Sequence, residues 1–329
     1  MLNLSDLPLL TCGLLHLFRM SKLAYIFPGQ GSQSVGMGKN LFDSYQSARE
    51  VFKEADDALG FSLSDMCFSG SEADLQLTAN TQPAILTVSV AAFRTLESEG
   101  FPPPAYVAGH SLGEYSALVA AGVLDFTDAV RTVRKRGTYM QESVPIGVGA
   151  MAAILGLDVE TIEKSCTEAA QGEICSPANI NSPSQVVIAG NVGAVDRACE
   201  LLKVSGAKRA IRLNVSAPFH CELMMPAQKR LAYDLQELDY ANFLFPIVHN
   251  VDARSNNDRG KVCDALTRQV SSSVLWLQTV QFLIGQGVKT VIEIGPGKIL
   301  SGLIRQIGRD IRSLNVEDRN SLKNTLESL

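Results

Sequence analysis

The segment Gly109-His110-Ser111-Leu112-Gly113-Glu114-Tyr115 constrains the fold of this chain more than any other part of the sequence. A serine between two glycines, after a short apolar run and before a small apolar stretch at helical spacing, is typical of a strand–turn–helix elbow. In this turn the serine hydroxyl is exposed at the carboxyl end of a strand, beside a helix N-terminus that stabilises negative charge. Because the same short pattern also occurs in ordinary loops, the interpretation depends on this context. The segment predicts a parallel-sheet α/β protein in which Ser111 is a candidate nucleophile.

Composition limits the classes of protein that the chain can belong to. The 329 residues are 46% hydrophobic and 19% charged, which is typical of a well-packed soluble α/β protein and excludes a disordered or fibrous one. The formal net charge of −5 argues against a general nucleic-acid-binding protein. No window approaches the roughly 18 uninterrupted apolar residues of a membrane span. We therefore expect no nucleic-acid partner and no membrane insertion.

The cysteine pattern favours a reducing compartment. The seven cysteines are odd in number and scattered, and they include no Cys-x-x-Cys pair, so neither a disulfide framework nor a metal site is expected. This usage predicts a cytoplasmic protein. Cys221 follows His220, but neighbouring side chains at a helix start point apart, which disfavours a Cys/His catalytic pair.

The order of predicted elements indicates two structural units after an N-terminal extension. Residues 1–19 are leucine-rich and lack a basic region before the apolar stretch, so they resemble a dispensable extension more than a secretory signal. An amphipathic docking segment is the alternative for them. Strand and helix patterns alternate from Leu23 to about Tyr139, as in a parallel sheet covered by helices. The predicted elements there are a strand at Leu23–Phe27, helices near 46–59, 82–99, 112–121 and 125–143, and the elbow strand.

A different order predicts an inserted unit in the middle of the chain. Residues 146–216 show the order β-α-β-β-α-β, which is the ferredoxin-like motif, with a helix at Val192–Val204 and a last strand at Arg209–Val215. The α/β pattern then resumes with a helix near 221–238, a strand at Phe245–Asn250 and further helices and a strand to about residue 310. We therefore predict a parallel-sheet α/β domain formed by residues 20–145 and 217–329, with residues 146–216 as an inserted ferredoxin-like small domain.

A glycine-rich loop follows the first predicted strand. Pro28-Gly29-Gln30-Gly31-Ser32-Gln33 only loosely resembles a dinucleotide-binding loop, because the final glycine spacing is wrong and no phosphate-binding lysine follows in register. We expect no nucleotide site and no resident cofactor.

The candidate base for Ser111 is found among four histidines. His16 lies in the extension. His110 is expected to point to the other side of the turn and to make a structural hydrogen bond. His249 ends an apolar strand, where a hydrogen-bonded histidine near the core is the common case. His220, at the exit of the small domain and the start of a new helix, remains as the best candidate.

Five sequence blocks, in order, are similar to those of the malonyl-CoA:acyl-carrier-protein transacylases. The blocks are Phe27-Pro28-Gly29-Gln30-Gly31-Ser32-Gln33, Gly109-His110-Ser111-Leu112-Gly113-Glu114-Tyr115, Arg134-Lys135-Arg136-Gly137, Ala217-Pro218-Phe219-His220 and Glu293-Ile294-Gly295-Pro296-Gly297. The resemblance covers essentially residues 20–310. It implies that the α/β domain, residues 20–145 and 217–329, is a hydrolase-like catalytic domain, and it implies the same ferredoxin-like insertion at residues 146–216 that the element order predicts.

The resemblance also implies a role for each of five residues. Ser111 would attack the malonyl thioester, and His220 would take the serine proton and return it to the departing thiol. The backbone N–H groups of Gln30 and Leu112 would hold the oxyanion. Arg136 would bind the free malonyl carboxylate, a task that suits a guanidinium. Without the resemblance, a solvated helix arginine is the favoured interpretation of Arg136.

Two further residues complete the implied site. The backbone carbonyl of Gln269 would orient the histidine in place of an aspartate, which gives a dyad and not a triad. Phe219, before the histidine, matches polyketide acyltransferases that select malonyl units, whereas many stand-alone bacterial transacylases have serine there. A ring at this position would crowd an α-methyl substituent.

The implied substrates are malonyl-CoA and the phosphopantetheine thiol of acyl carrier protein. The implied role is the supply of malonyl units to fatty-acid synthesis, and we expect a monomer. Basic residues near the entrance, Lys298 and Arg305, are candidates for docking the acidic carrier. A discrete malonyl acyltransferase of a polyketide pathway is the chemically equivalent alternative. A serine hydrolase is a further alternative, but it would not need a buried Arg136. A non-catalytic interaction protein would leave Gln30, Ser111, Arg136 and His220 unexplained.

Overall fold

The computed structural model describes residues 22–215 and 217–329. The predicted extension, residues 1–19 with His16, lies outside the described residues. Ser216, the last residue assigned to the small domain, lies outside them as well. Among the described residues, no helix combines the length and the apolar character needed to cross a lipid bilayer.

A six-stranded sheet forms the centre of the larger unit, in the order β10-β9-β1-β2-β7-β8. Its strands are β1 (Lys22–Phe27), β2 (Tyr106–Gly109), β7 (Ile247–Val248), β8 (Ser255–Asn256), β9 (Val288–Ile294) and β10 (Arg312–Val316). All neighbouring pairs are parallel except β7 with β8. The predicted α/β architecture with a parallel-sheet core is therefore confirmed.

Helices cover both faces of this sheet. They are α1 (Lys39–Ser44), α2 (Gln46–Leu59), α3 (Leu63–Ser69), α4 (Glu72–Gln76), α5 (Thr78–Ser98), α6 (Gly113–Ala120), α7 (Phe126–Glu142), α10 (Met225–Gln236), α11 (Val262–Gln269), α12 (Trp276–Gly285), α13 (Ile299–Ile307) and α14 (Arg319–Leu326). Side chains of β1 alternate between two cores: Tyr25 and Phe27 pack in the larger one, and Ile26 packs in a second one on the opposite face. This alternation is the pleat of a strand that is buried on both sides.

The smaller unit is a four-stranded antiparallel sheet in the order β4-β5-β3-β6. In chain order its elements are β3 (Gly149–Leu155), α8 (Val159–Ala170), β4 (Cys175–Ser182), β5 (Gln185–Asn191), α9 (Val192–Val204) and β6 (Arg209–Arg212). A separate apolar cluster, which includes Ile154, Ile162 and Val195, lies between this sheet and its helices. The sheet has its own core.

Most predicted elements are present, and the errors have local causes. The helices predicted at 46–59 and Val192–Val204 are confirmed. The strand predicted at Phe245–Asn250 is wrong except for Ile247–Val248, since Pro246 cannot donate to a ladder. The strand predicted at Arg209–Val215 ends at Arg212.

Other boundaries are set by proline and by missed elements. The helix predicted near 221–238 begins as a 3₁₀ turn at Glu222–Met224, and α10 starts where Pro226 occupies its first turn. The predicted elements did not include β10 or α14.

Candidate active site

A cavity of about 730 Å³ lies where the carboxyl ends of β1 and β2 meet the small sheet. Ser111, Arg136 and His220 all line it, although they lie far apart in the sequence. Ligands commonly bind outside the carboxyl ends of parallel strands. This cavity is the candidate active site.

Ser111 lies in the strained turn between β2 and α6. Its backbone has φ 53°, a left-handed conformation that is uncommon for a non-glycine residue and is typical of functional turns. A Cβ on Gly109 would lie 2.0 Å from the backbone of Gly113, and one on Gly113 would lie 2.1 Å from the Phe27 carbonyl oxygen. Both flanking positions therefore require glycine for the strand and helix to approach.

His220 contacts the serine and a backbone carbonyl. Its Nε2 is 2.7 Å from Ser111 Oγ, and its Nδ1 is 3.0 Å from the carbonyl oxygen of Gln269. Because a carbonyl oxygen only accepts, the ring proton belongs on Nδ1, which leaves Nε2 free to accept the serine proton. Burial, together with the charge of Arg136, lowers the pKa of His220 from 6.5 to about 3. The imidazole is therefore neutral at physiological pH.

Helix α7 carries Arg136 into the cavity. The helix starts at a capped end, where the Asp125 side chain accepts from Thr127 N and Asp128 N. Arg136 is 1% exposed, so the solvated-helix interpretation is wrong. Its Nη2 donates to Ser111 Oγ at 3.2 Å.

Neutral acceptors hold the guanidinium. Arg136 Nη1 donates to Gln82 Oε1 at 2.8 Å, and Nη2 donates to Gln269 Oε1 at 3.0 Å. Its Nε has no partner among the described residues. Burial lowers the pKa of Arg136, while the nearby Tyr115 and Glu114 oppose this effect.

The charge of the cavity is one-sided. Among the described residues that line it, Arg136 is the one formally charged side chain, and none is aspartate or glutamate. A buried cation without a paired anion is costly unless a ligand supplies the anion. The cavity is therefore suited to an acyl group that carries a carboxylate.

Two backbone N–H groups are free beside the serine. Gln30 and Leu112 both line the cavity, and within the described residues neither backbone N–H donates to a protein acceptor. Leu112 N is at the start of α6, where helix N–H groups point outward. Unpaired donors next to a nucleophile suit an oxyanion.

The remaining sequence candidates are placed as follows. Phe219 is buried and lines the cavity. Cys221 Sγ donates to the Pro218 carbonyl, and burial raises the pKa of its thiol to about 12, which disfavours the Cys/His pair. His249 is buried, with Nδ1 2.6 Å from Glu114 Oε1, as expected of a hydrogen-bonded histidine near the core.

His110 differs from its expected placement. It lines the same cavity instead of pointing away from it, and its Nε2 is 2.9 Å from Asn181 Oδ1. Burial lowers the pKa of His110. The structural hydrogen bond expected of His110 is therefore present, and the residue is part of the cavity wall.

Sequence reasoning missed several polar residues that hold the site. Gln82 contacts Arg136, and Asn250 Oδ1 accepts from Ser111 N at 2.6 Å. Asn250 is at the carboxyl end of β7, which was an available signal, and Glu114 is inside the elbow segment itself. For Gln82, which lies directly before Pro83, no feature of the sequence indicated a place in the site.

The family comparison matches residues 24–322 to the acyl transferase domain. The malonyl CoA-acyl carrier protein transacylase of Escherichia coli is 47% identical over 308 residues, which is 94% of this chain and 100% of that protein. The protein of the same name in Bacillus subtilis is 46% identical over 311 residues, covering 94% and 98%. Sequence similarity thus extends over almost the whole chain.

Solved structures show the same similarity in three dimensions. An acyl carrier protein S-malonyltransferase from Vibrio cholerae superposes with a TM-score of 0.91 at 49% identity, covering 93% of this chain and 100% of that one. A malonyl-transacylase in complex with its type II PKS acyl-carrier protein gives a TM-score of 0.92 at 47% identity, covering 94% and 100%.

Proposed function

Because the chain belongs to the family of malonyl-CoA–acyl carrier protein transacylases, we propose that it transfers malonyl groups from malonyl-CoA to the phosphopantetheine thiol of acyl carrier protein. The product supplies extender units for fatty-acid synthesis. The observation that carries the proposal is the contact of Ser111 Oγ with both His220 Nε2, at 2.7 Å, and the buried Arg136, at 3.2 Å. A nucleophile, its base and a carboxylate-binding group thus meet at one oxygen.

In the first half-reaction Ser111 Oγ attacks the thioester carbonyl carbon while His220 Nε2 takes the hydroxyl proton. The oxyanion accepts from the backbone N–H groups of Gln30 and Leu112. When the tetrahedral intermediate collapses, the carbon–sulfur bond breaks and the imidazolium gives its proton to the coenzyme A thiolate. The Gln269 carbonyl keeps Nδ1 protonated and stabilises the imidazolium. A malonyl-serine ester remains.

The second half-reaction is the reverse with a different thiol. His220 takes the proton of the carrier thiol, whose sulfur attacks the ester carbonyl. The same two N–H groups hold the second oxyanion, and the proton returns to Ser111 Oγ. No water or resident cofactor enters this scheme, since the chain supplies the nucleophile, the base and the oxyanion donors.

Arg136 gives the site its acyl preference. Two parallel hydrogen bonds to the malonyl carboxylate would pair the buried cation, because a guanidinium matches a carboxylate in bidentate geometry. Phe219 on the cavity wall would crowd a substituent on the α-carbon. A hydrolase that acts on neutral esters would leave the charge of Arg136 unpaired.

The domain assignment and cellular context are part of the proposal. The chain order β-α-β-β-α-β and the separate core support a ferredoxin-like small domain at residues 146–216, inserted into a catalytic domain of residues 20–145 and 217–329. We propose a monomer, in which one chain would supply every group of the site. The six cysteines of the described residues are free thiols, which supports a cytoplasmic location.

Acyl loading and discharge test the proposed function. Intact-mass measurement after mixing with malonyl-CoA should show one added malonyl group, which should then disappear on addition of acyl carrier protein. A wild-type chain that stays unmodified would contradict malonyl transfer. A malonyl-enzyme that water discharges as fast as carrier protein does would favour the hydrolase.

A polyketide pathway is the second candidate context. The solved complex of a malonyl-transacylase with a type II PKS acyl-carrier protein favours it, because that enzyme superposes closely on this chain. Discharge rates with fatty-acid and polyketide carrier proteins, measured on the same malonyl-enzyme, distinguish the two contexts.

A further inference from the structure

A buried carboxylate lies behind the elbow, outside the set of groups that the reaction uses. Glu114, in the first turn of α6, is fully buried and does not line the cavity. Its Oε1 is 2.6 Å from His249 Nδ1, and its Oε2 accepts from Asn250 N at 2.9 Å and from Gln269 Nε2 at 2.8 Å. An anion buried this deeply needs such partners, but they do not explain why an anion is there.

The hydrogen bonds around His249 fix its proton. Asn256 Oδ1 accepts from Asp258 N at 2.9 Å, so the Asn256 side-chain NH₂ faces His249 Nε2, at 3.0 Å. His249 Nε2 is therefore an acceptor, and the ring proton belongs on Nδ1, where it is donated to Glu114. All three partners of Glu114 are donors, and an ionised carboxylate accepts from them all.

The carboxylate determines which way the Gln269 amide faces. Gln269 Nε2 donates to Glu114 Oε2 and, at 3.0 Å, to the carbonyl oxygen of Ser111, so Oε1 points to Arg136 Nη2. The reversed amide would place an NH₂ group against the guanidinium and an oxygen against the carboxylate. Both contacts would be repulsive, so the charge of Glu114 favours one orientation.

We propose that Glu114, with its proton donor His249, is a positioning residue that fixes the Gln269 amide and thereby aligns Arg136 for acyl groups that carry a carboxylate. The proposal rests on the proposed malonyl transfer and deepens it. It assigns part of the acyl preference to a group that substrate never touches. Loss of Glu114 should therefore reduce malonyl transfer more than transfer of a neutral acyl group.

The test compares malonyl and acetyl transfer in Glu114→Gln. Glutamine has the same shape, but it replaces one acceptor oxygen with an NH₂ group that faces a donor. The hydrogen bond from either His249 or Gln269 is therefore lost. The ratio of kcat/KM for malonyl-CoA to that for acetyl-CoA should fall by about fivefold or more, in line with a lost hydrogen bond to a charged group. Equal falls for both substrates would indicate a purely structural role and overturn the proposal.

A matched pair at His249 keeps the test independent of one variant. His249→Asn retains a donor close to the position of Nδ1, whereas His249→Leu removes it. The malonyl-to-acetyl ratio should stay near the wild-type value in His249→Asn and fall in His249→Leu. If both variants keep the wild-type ratio while remaining folded by circular dichroism, His249 does not support the carboxylate and the proposal fails.

The route through Gln269 is tested by a double substitution. In Gln269→Met the amide is gone, so adding Glu114→Gln should change the malonyl-to-acetyl ratio less than about twofold. A full additional fall would mean that Glu114 acts by another route and would overturn the assigned path. The wild-type enzyme separates the hypothesis of malonyl transfer from that of the positioning role of Glu114. If the wild-type enzyme does not transfer malonyl, the proposed function is contradicted. If it does, and Glu114→Gln keeps the wild-type malonyl-to-acetyl ratio, only the role of Glu114 is contradicted.

Discussion

The two sides of the elbow differ in how fully their polar groups are paired. On the cavity side, the backbone N–H groups of Gln30 and Leu112 have no partner within the described residues. On the opposite side, Glu114 accepts three hydrogen bonds and His249 is bonded through both ring nitrogens. Both unpaired donors line the cavity, where the proposed oxyanion would form.

This difference indicates that the two sides have different roles. Unpaired buried donors cost folding free energy, and they persist only where the surrounding structure holds them in place. Asn250 shows the connection, since it accepts from Ser111 N on one side and its own backbone N–H donates to Glu114 on the other. The satisfied side holds the geometry that the unsatisfied side needs for transition-state binding.

The largest expected effect is that of Ser111→Ala. Removal of the nucleophile should abolish the malonyl adduct in intact-mass spectra and lower transfer by about a thousandfold or more. The back of the elbow should be unaffected, because Ser111 contacts it only through backbone atoms. A Ser111→Ala chain that still gains a malonyl group would place the nucleophile elsewhere.

Arg136→Ala should have the next largest effect. A malonyl carboxylate buried without its partner should lose roughly 3–5 kcal/mol, part of it desolvation cost, so malonyl transfer should fall about a hundredfold or more. Acetyl transfer, which needs no cation, should be retained or improve. The measurement is kcat/KM for both thioesters in wild type and variant.

An equal loss for both thioesters would break the comparison between the two sides. It would mean that Arg136 binds coenzyme A or supports the fold. In the second case its role would be like that of Glu114, which supports the elbow. Arg136→Lys serves as the control: it keeps the charge but loses the bidentate fork, so its malonyl transfer should lie between those of wild type and Arg136→Ala.

The sequence predicted the parallel-sheet core from the alternation of elements and the elbow from its glycines. It also gave His220 as the candidate base for Ser111, and in the structure His220 Nε2 lies 2.7 Å from Ser111 Oγ. These features have local signals: a turn that requires glycine, or a histidine at an element boundary. The five ordered blocks added Arg136, whose burial no local pattern indicates.

The contacts of the supporting residues could not be predicted in the same way, although the positions of Asn250 and Glu114 in the sequence were an available signal. Gln82, Glu114 and Asn250 act through contacts between segments that are distant in sequence, and a glutamine or glutamate on a helix has no pattern that separates a buried site from a solvated face. His110 was misplaced for the same reason, since the small sheet brings Asn181 to it from another element. Tertiary contacts, and not local propensity, determine these positions.

The buried His220 predicts a pH dependence of stability. Its native pKa of about 3 lies below the ordinary 6.5, so between these values the unfolded chain binds a proton that the native chain does not. The free energy of unfolding should therefore decrease as pH falls from about 6.5, by about 1.4 kcal/mol per pH unit from this group. Urea unfolding at pH 7 and pH 5 measures it, and His220→Gln should show a shallower decline.

This measurement shows whether the buried, neutral His220 lowers the free energy of unfolding at acidic pH. If wild type and His220→Gln lose stability equally between these pH values, the histidine is not buried in its neutral form. The base would then be solvated, and the contrast between the two sides of the elbow would be weaker than the hydrogen bonds indicate.

The smallest expected effect concerns carrier docking at the rim of the cavity. Ile299, Leu300 and Leu303 of α13 line the cavity, and Arg305 on the same helix is exposed. Lys298 Nζ is 3.3 Å from Glu317 Oε1, so part of its charge is already compensated and Arg305 is the stronger candidate. This rim would meet an acidic carrier while the back of the elbow stays covered.

Arg305→Glu should raise the apparent KM for acyl carrier protein about threefold at low salt, because an exposed charge changes association modestly and salt screens it. Lys298→Glu should have a smaller effect than Arg305→Glu, since Glu317 already pairs with Lys298. Lys53→Glu is the matched control, an exposed lysine on α2 that does not line the cavity and makes the same change in net charge. If all three variants raise the KM equally, only the net charge of the protein matters and α13 is not a docking surface. If Arg305→Glu leaves the KM unchanged, the carrier reaches Ser111 over another part of the rim, and the free N–H groups of the cavity must be approached from the small sheet.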